Sequence, residues 1–113
     1  MIIGVLPNAA AAETLLNNLA EAEFNLADVS VLMRDVKQRA AIAEDAGPLR
    51  GTDWRELAQR LIEAGLTHGE AQRYVKAVEH GQVVVAIAAP QKIELIAREM
   101  LQDHDAQLIQ GVN

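Results

Sequence analysis

Four segments of the chain have the apolar pattern of β-strands. They lie at residues 2–6, 27–33, 83–89 and 107–112. The first and third are apolar at nearly every position, which is typical of strands buried on both faces, so we expect them at the centre of a sheet. The second alternates, with Val29, Val31 and Met33 on one face, and predicts a half-buried strand at or near a sheet edge.

Four other segments repeat apolar residues at the spacing of an amphipathic helix. They begin at residues suited to a helix start, which are Asn8, Thr52, Thr67 and Pro90. Gly65 and Gly81 are expected to end the second and third helices, and Glu70 completes a capping box with Thr67. Residues 37–46 predict one or two further helical turns. The expected buried faces are Ala12, Leu15, Leu16, Leu19 and Ala22; Trp54, Leu57, Ala58, Leu61 and Ile62; Ala71, Tyr74, Val75 and Val78; and Ile93, Ile96, Ala97, Met100 and Leu101.

The order of these elements is a strand–helix–strand unit, two helices, and a second strand–helix–strand unit. Two right-handed units side by side predict a ferredoxin-like α+β fold, with a four-stranded antiparallel sheet in the order 4-1-3-2. The two extra helices are inserted between strands 2 and 3. Strands 1 and 3 are central in this order, which agrees with their apolar pattern. The length of 113 residues predicts a single domain over residues 1–113.

The second face of this sheet needs a cover. The first and last helices pack on one face only, and an apolar patch as large as the other face is rarely left exposed on a monomer. Either the helices between residues 52 and 80 fold over it or a second subunit does. We expect a homodimer or a higher oligomer.

Composition narrows the classes of function. Half of the residues are hydrophobic. Cys is absent, which excludes disulfides and thiol catalysis and is compatible with a cytoplasmic location. The net charge is −6 and residues 1–33 contain no Lys or Arg, so we expect no nucleic-acid partner. The longest apolar run, residues 83–90, is too short to cross a bilayer, and the chain opens without a basic, cleavable leader. We therefore expect neither membrane insertion nor a signal peptide.

Residue patterns that carry chemistry are sparse. His68, His80 and His104 do not share one helix face, and each suits a surface or capping position better than a metal site. The glycines of residues 47–52 precede a helix start but lack the Lys-Ser/Thr ending of a phosphate-binding loop, so a plain turn is expected. We predict no catalytic residue, no metal site and no cofactor.

Trp54 and Tyr74 are the two residues that the sequence marks as a candidate interface or pocket. Both lie on predicted buried helix faces, so packing in the core is the favoured interpretation. The functional interpretation is that they anchor a subunit or ligand interface, where Trp and Tyr are enriched.

The stretch GLTHGEAQRYVKAVEHGQVVVAI, residues 65–87, resembles the C-terminal part of the bacterial general stress protein domain, also called the heat-induced stress protein domain. The matching positions are Gly65, Leu66, Ala71, Tyr74, Val78, Gly81 and Val83 to Val85. Gly-Pro-Leu at residues 47–49 is similar to the tripeptide that precedes this region in many relatives, and the opening IIGVLPNAAAAETLLNNL is similar to their first strand and helix. Many relatives also carry a long Gly/Ala-rich apolar insertion, where this chain has the polar residues 35–46.

The resemblance implies a stress-associated protein without a catalytic motif. The leading hypothesis is a non-enzymatic interaction module that works as a homo-oligomer. One alternative is a regulatory domain that binds a small molecule at a subunit interface, and a second is a ferredoxin-like dimeric enzyme. A pocket lined by Trp54, Tyr74 and a buried Arg or His would favour the alternatives.

Overall fold

The computed structural model describes residues 1–112, and these form nine regular elements joined by short turns. The strands are β1 (Ile2–Leu6), β2 (Val29–Leu32), β3 (Val83–Ile87) and β4 (Gln107–Gly111). The helices are α1 (Ala9–Glu21), α2 (Val36–Ile42), α3 (Leu57–Glu63), α4 (His68–Glu79) and α5 (Gln91–Asp103). Two 3₁₀ turns, Leu26–Asp28 and Trp54–Glu56, precede β2 and α3.

The four strands form one antiparallel sheet in the order β2-β3-β1-β4. This confirms the predicted α+β class and the predicted strand order, which is the same order read from the other edge. β1 and β3 are central, with Gly4 opposite Val85, and every residue of both strands is buried. The sequence marked these strands correctly because residues without polar partners must be covered on both faces.

Each face of the sheet is covered by helices of the same chain. On one face, alternate strand residues such as Ile2 and Val85 pack against α1 and α5. On the other face, Ile3, Val84 and their neighbours pack against α3 and α4. The second face could be covered by the inserted helices or by a second subunit, and in the structure the inserted helices α3 and α4 cover it. The apolar face therefore gives no reason to expect a second subunit.

The helix ends follow the local signals in the sequence. Thr67 and Glu70 form both bonds of a capping box at the start of α4. Gly65 and Gly81 have φ values of 113° and 85°, which confirms them as left-handed helix stops. Leu66 N–H donates to the carbonyl of Leu61, which is the bond that defines a Schellman-type end.

Three local predictions are wrong. Thr52 does not cap a helix, because Asp53 caps a 3₁₀ turn instead and α3 begins only at Leu57. The predicted buried helix faces are too wide, because Ile93 and Ile96 of α5 and Ala22 at the end of α1 are exposed. In α5, Ala97 and Leu101 make the contact.

The third error concerns β2, which is an edge strand as predicted but is buried at all four positions rather than half-buried. The cause is the Gly-Pro-Leu loop, which packs against its backbone. Ser30 Oγ donates to the carbonyl oxygen of Ala46 at 2.5 Å and accepts from Leu49 N–H at 2.8 Å. Gly47 approaches so closely that an added Cβ would lie 2.5 Å from Ser30 N. Ser30 is the buried polar residue of the described chain, and the loop satisfies it.

Candidate functional site

Trp54 and Tyr74 pack on the same face of the sheet but line different cavities. Tyr74, on α4, is 2 % exposed and belongs to the core. Trp54, in the 3₁₀ turn before α3, is half-buried at the edge of the same core. The structure therefore does not bring the two aromatic residues together in one pocket.

Tyr74 connects the inserted helix α4 to the last strand. Its hydroxyl donates to the carbonyl oxygen of Leu108 at 2.5 Å and contacts Gln110 Oε1 at 3.3 Å. Gln110 Nε2 in turn donates to Glu70 Oε2 at 2.6 Å. These contacts hold β4 where its pairing with β1 is irregular, since Leu108 has a φ of 52° and the register shifts between Ile3 and Val5.

Burial raises the pKa of Tyr74 from 10 to about 12, and the nearby Glu70 carboxylate adds to the effect. The pKa of Glu70 is lowered, first by the backbone N–H of Thr67 and then by the Gln110 amide. Both shifts hold the groups in the protonation states that make the hydrogen bonds. The cleft beside them measures about 180 Å³. We interpret the cluster of Glu70, Tyr74 and Gln110 as structural, because it attaches β4 to α4.

The cavity at Trp54 has a different character. It measures about 200 Å³ and lies between the end of β2, α2 and the loop that leads to α3. Val31, Met33 and Val36 supply apolar surface, and the indole of Trp54 forms part of the wall. The remaining lining residues are Leu32, Arg39, Asp45, Gly51, Thr52 and Asp53.

One polar atom of this cavity lacks a partner. Thr52 Oγ1 is buried and, among the residues that the structure describes, accepts and donates no hydrogen bond. A buried hydroxyl without a partner costs about 1–3 kcal/mol, and the large majority of such groups in folded proteins are paired. Thr52 is also one of the residues that line the Trp54 cavity.

The charged residues around Trp54 differ in how many hydrogen bonds and ion pairs they already form. Asp53 is paired with Arg55, whose Nη2 lies 2.7 Å from its Oδ2, and this pairing lowers the pKa of Asp53 to about 2. Among residues 1–112, Asp45 accepts only from Gly51 N–H, at 3.0 and 3.2 Å. Arg39 donates one bond, from Nη1 to the carbonyl of Ala43 at 3.3 Å. One cation and one anion therefore retain hydrogen-bonding capacity at this cavity.

The histidines lie at helix ends. His68 is the first residue of α4, while His80 and His104 cap the C-termini of α4 and α5. His104 Nε2 contacts the amide of Asn18 at 2.9 Å, which joins α5 to α1. Within residues 1–112 no three His, Asp or Glu side chains gather in an arrangement that could hold a metal ion.

Sequence reasoning marked Trp54 but missed its neighbours. Arg39 and Asp45 lie in a polar segment whose pattern predicts only a turn or a short helix, and Thr52 has the pattern of a helix cap. The signal that could have found them is the cluster of Thr52, Asp53 and Trp54 directly after a glycine turn, since loops that present an aromatic residue beside polar groups often bind ligands.

Comparison of the chain with protein-family models, with curated proteins and with solved structures gave no match. In the part of the chain that the structure describes, no helix is both long enough and apolar enough to span a membrane.

Proposed function

We propose that this protein is a non-enzymatic binding domain that recognises a small zwitterionic ligand in the Trp54 cavity. The observation that carries the proposal is the unpaired Thr52 hydroxyl, which lies where Arg39 and Asp45 retain free hydrogen-bonding capacity. Arg39 suits a carboxylate, because guanidinium pairs with carboxylate in a planar geometry. Asp45 and the face of the Trp54 indole both suit an ammonium group.

The size of the cavity limits the ligand. A volume of about 200 Å³ gives room for roughly seven non-hydrogen atoms, each taken at the volume of a liquid water molecule. Small α-amino acids have this size and carry both charges. The Asp53 carboxylate is poorly suited to acid–base catalysis near neutral pH, because pairing with Arg55 keeps it ionised down to a pKa of about 2. This supports binding rather than turnover.

Trp54 provides the assay, since it is the only Trp in the chain and lines the cavity. Its fluorescence is titrated with valine, with valinamide, which lacks the carboxylate, and with 3-methylbutanoate, which lacks the amine. We expect valine to give a saturable change and each singly charged analogue to bind at least about fivefold more weakly, because each loses one charged hydrogen bond.

The Thr52→Val substitution separates binding from stability. It removes the unpaired hydroxyl at constant shape, so the free energy of unfolding should stay the same or rise while valine affinity falls. Thr14→Val is the matched control, since Thr14 lies on the exposed side of α1 and its hydroxyl donates to the carbonyl of Ala10. Equal binding of all three probes, or a Thr52→Val variant that binds valine normally, would contradict the proposal.

A second candidate function is the interaction module, and the exposed face of α5 favours it. Ile93, Leu95 and Ile96 are 36 %, 63 % and 48 % exposed, which is unusual for neighbouring aliphatic side chains. A homodimer or higher oligomer would then form through this helix rather than through the sheet. Sedimentation velocity of the wild type and of Leu95→Lys tests it, and a wild-type monomer at tens of micromolar would rule it out.

The broader assignment is part of the same proposal. The strand order and the coverage by α1 and α5 support a ferredoxin-like fold with an inserted helical layer. The Gly-Pro-Leu loop and the α4–β3 stretch support kinship with the general stress protein domain, and with it a bacterial, stress-associated role. The absence of Cys supports a cytoplasmic location.

A further inference from the structure

A larger cavity lies near the C-terminal end of α2. It is a groove of about 540 Å³ between the middle of α1, the turn Leu26–Asp28 and the end of α2. This volume is within the usual range of small-molecule sites, which are also mainly apolar with a few polar groups. The groove fits that description, because its walls come from Leu16, Leu26, Ala27, Val29 and residues 40–43.

The depth and the rim of the groove are formed by different residues. Leu16 and Val29 are 5 % and 2 % exposed and form its buried wall. Leu26, in the turn before β2, is 41 % exposed at the surface of the molecule. An aliphatic side chain with that exposure beside a cavity has apolar surface still to bury, which favours an aliphatic occupant.

The charged side chain that lines the groove is acidic, although Arg39 lies beside the groove and donates to the carbonyl of Ala43, one of the lining residues. Glu44 is the charged residue of its lining, and no Lys or Arg contributes to it. Asn25 is the other polar residue, and its side chain already accepts from Ala27 N–H at 3.0 Å. The elements that form the groove on the α1 side belong to residues 1–33, which contain acidic residues and no Lys or Arg. A cation is therefore favoured over an anion at this site.

We propose that the groove between α1 and α2 is a second binding site, which takes an aliphatic chain that ends in a primary ammonium group. The chain lies along Leu16, Leu26 and Val29, and the ammonium group pairs with the Glu44 carboxylate. This site is independent of the Trp54 cavity, and its ligand has no carboxylate. Helix α2 contributes different residues to the two sites, since Val36 and Arg39 line one and residues 40–42 line the other.

The probes are octylamine, octanol and octanoate, which share one chain and differ in charge. Binding to the intact protein is measured by calorimetry, and amide nitrogen–proton correlation spectra locate it. We expect octylamine to bind with shifts centred on residues 25–29 and 40–44, and octanol to bind about 2–5-fold more weakly, the range of an exposed ion pair. Octanoate should bind more weakly than octanol.

Two variants test the contacts, and neither changes a residue that lines the Trp54 cavity. Glu44→Gln should weaken octylamine about 2–5-fold and leave octanol unchanged, because only the ion pair is lost. Leu26→Lys should weaken both probes about tenfold through loss of apolar contact. Glu13→Gln is the matched control for Glu44→Gln, because it makes the same change at an exposed Glu outside the groove and should leave both affinities unchanged.

Three results would overturn the assignment. The first is octanoate binding as tightly as octylamine, and the second is octylamine binding that Glu44→Gln leaves unchanged. The third is binding of a basic amphipathic peptide at residues 25–29 and 40–44 without any binding of octylamine, which would make the groove a protein-docking surface. Valine titration of Trp54 is unaffected by these outcomes, so the two sites fail or succeed separately.

Discussion

Gly47 and Gly51 provide a comparison of two glycines with the same backbone conformation and different surroundings. Their φ values are 79° and 77°, in the left-handed region that glycine favours. A Cβ added at Gly51 meets nothing within 4 Å, whereas a Cβ added at Gly47 lies 2.5 Å from Ser30 N and 2.6 Å from Ser30 Oγ. Substitution of each by Ala therefore separates the cost of the backbone conformation from the cost of the contact.

Gly47→Ala is expected to cost about twice as much free energy of unfolding as Gly51→Ala. Gly51→Ala should lower the free energy of unfolding by about 1–2 kcal/mol, the cost of the left-handed conformation for a residue with a Cβ. Gly47→Ala carries the same cost and must also move the loop by about 1 Å to restore ordinary contact. That shift breaks the bonds of Ser30 Oγ to Ala46 and Leu49. Each bond is worth about 0.5–1.5 kcal/mol, so the total loss is about 2–5 kcal/mol.

Urea unfolding followed by the fluorescence of Trp54 measures both variants, with circular dichroism as a second probe of the same transition. The slope of free energy against urea should match the wild type, because the folded state is changed only locally. If Gly47→Ala is too unstable to purify, Ser30→Ala supplies the second measurement, with an expected loss of about 1–3 kcal/mol from two unpaired backbone groups. Equal losses for Gly47→Ala and Gly51→Ala would refute the close contact between the loop and β2.

Two further outcomes are expected. Glu23, exposed just past α1 with a φ of 67°, occupies a helix stop that favours Gly, so Glu23→Gly should raise the free energy of unfolding by about 1 kcal/mol. Glu21→Gly, inside the last turn of α1, should lower it by about 1 kcal/mol, and a loss in both variants would contradict the left-handed conformation. Because the pKa of Tyr74 is about 12 in the fold and 10 when unfolded, the contribution of Tyr74 to stability should be constant well below pH 10. It should then fall by up to about 2 kcal/mol between pH 10 and 12, as the unfolded chain loses its proton first. The near-ultraviolet absorbance of this single Tyr measures the ionisation directly, and a midpoint near 10 in the folded protein, or the same loss in Tyr74→Phe, would show that the hydroxyl is not buried.

The sequence by itself determined the strands, their order and most helix ends. Each of these rests on residues close together in the chain. The spacing of apolar side chains decides which face is buried, and Gly65 and Gly81 end their helices through bonds that span only a few residues. The same local logic located Tyr74 on a buried face. It missed the end of α1, because Glu23 takes the conformation of a stop without the residue type that signals one.

Only the tertiary structure decided what covers the sheet and where the cavities lie. On the sequence alone, the apolar face could be covered either by α3 and α4 or by a second subunit. Burial does not depend on which chain provides the cover. The burial of Ser30 depends on a loop sixteen or more residues away in the chain. The separation of Trp54 from Tyr74, and the meeting of Arg39 and Asp45 with Thr52, arise from packing between elements that share no local pattern. Such contacts follow from the complete three-dimensional arrangement, because non-directional apolar burial fixes how much surface is covered and not which side chains become neighbours.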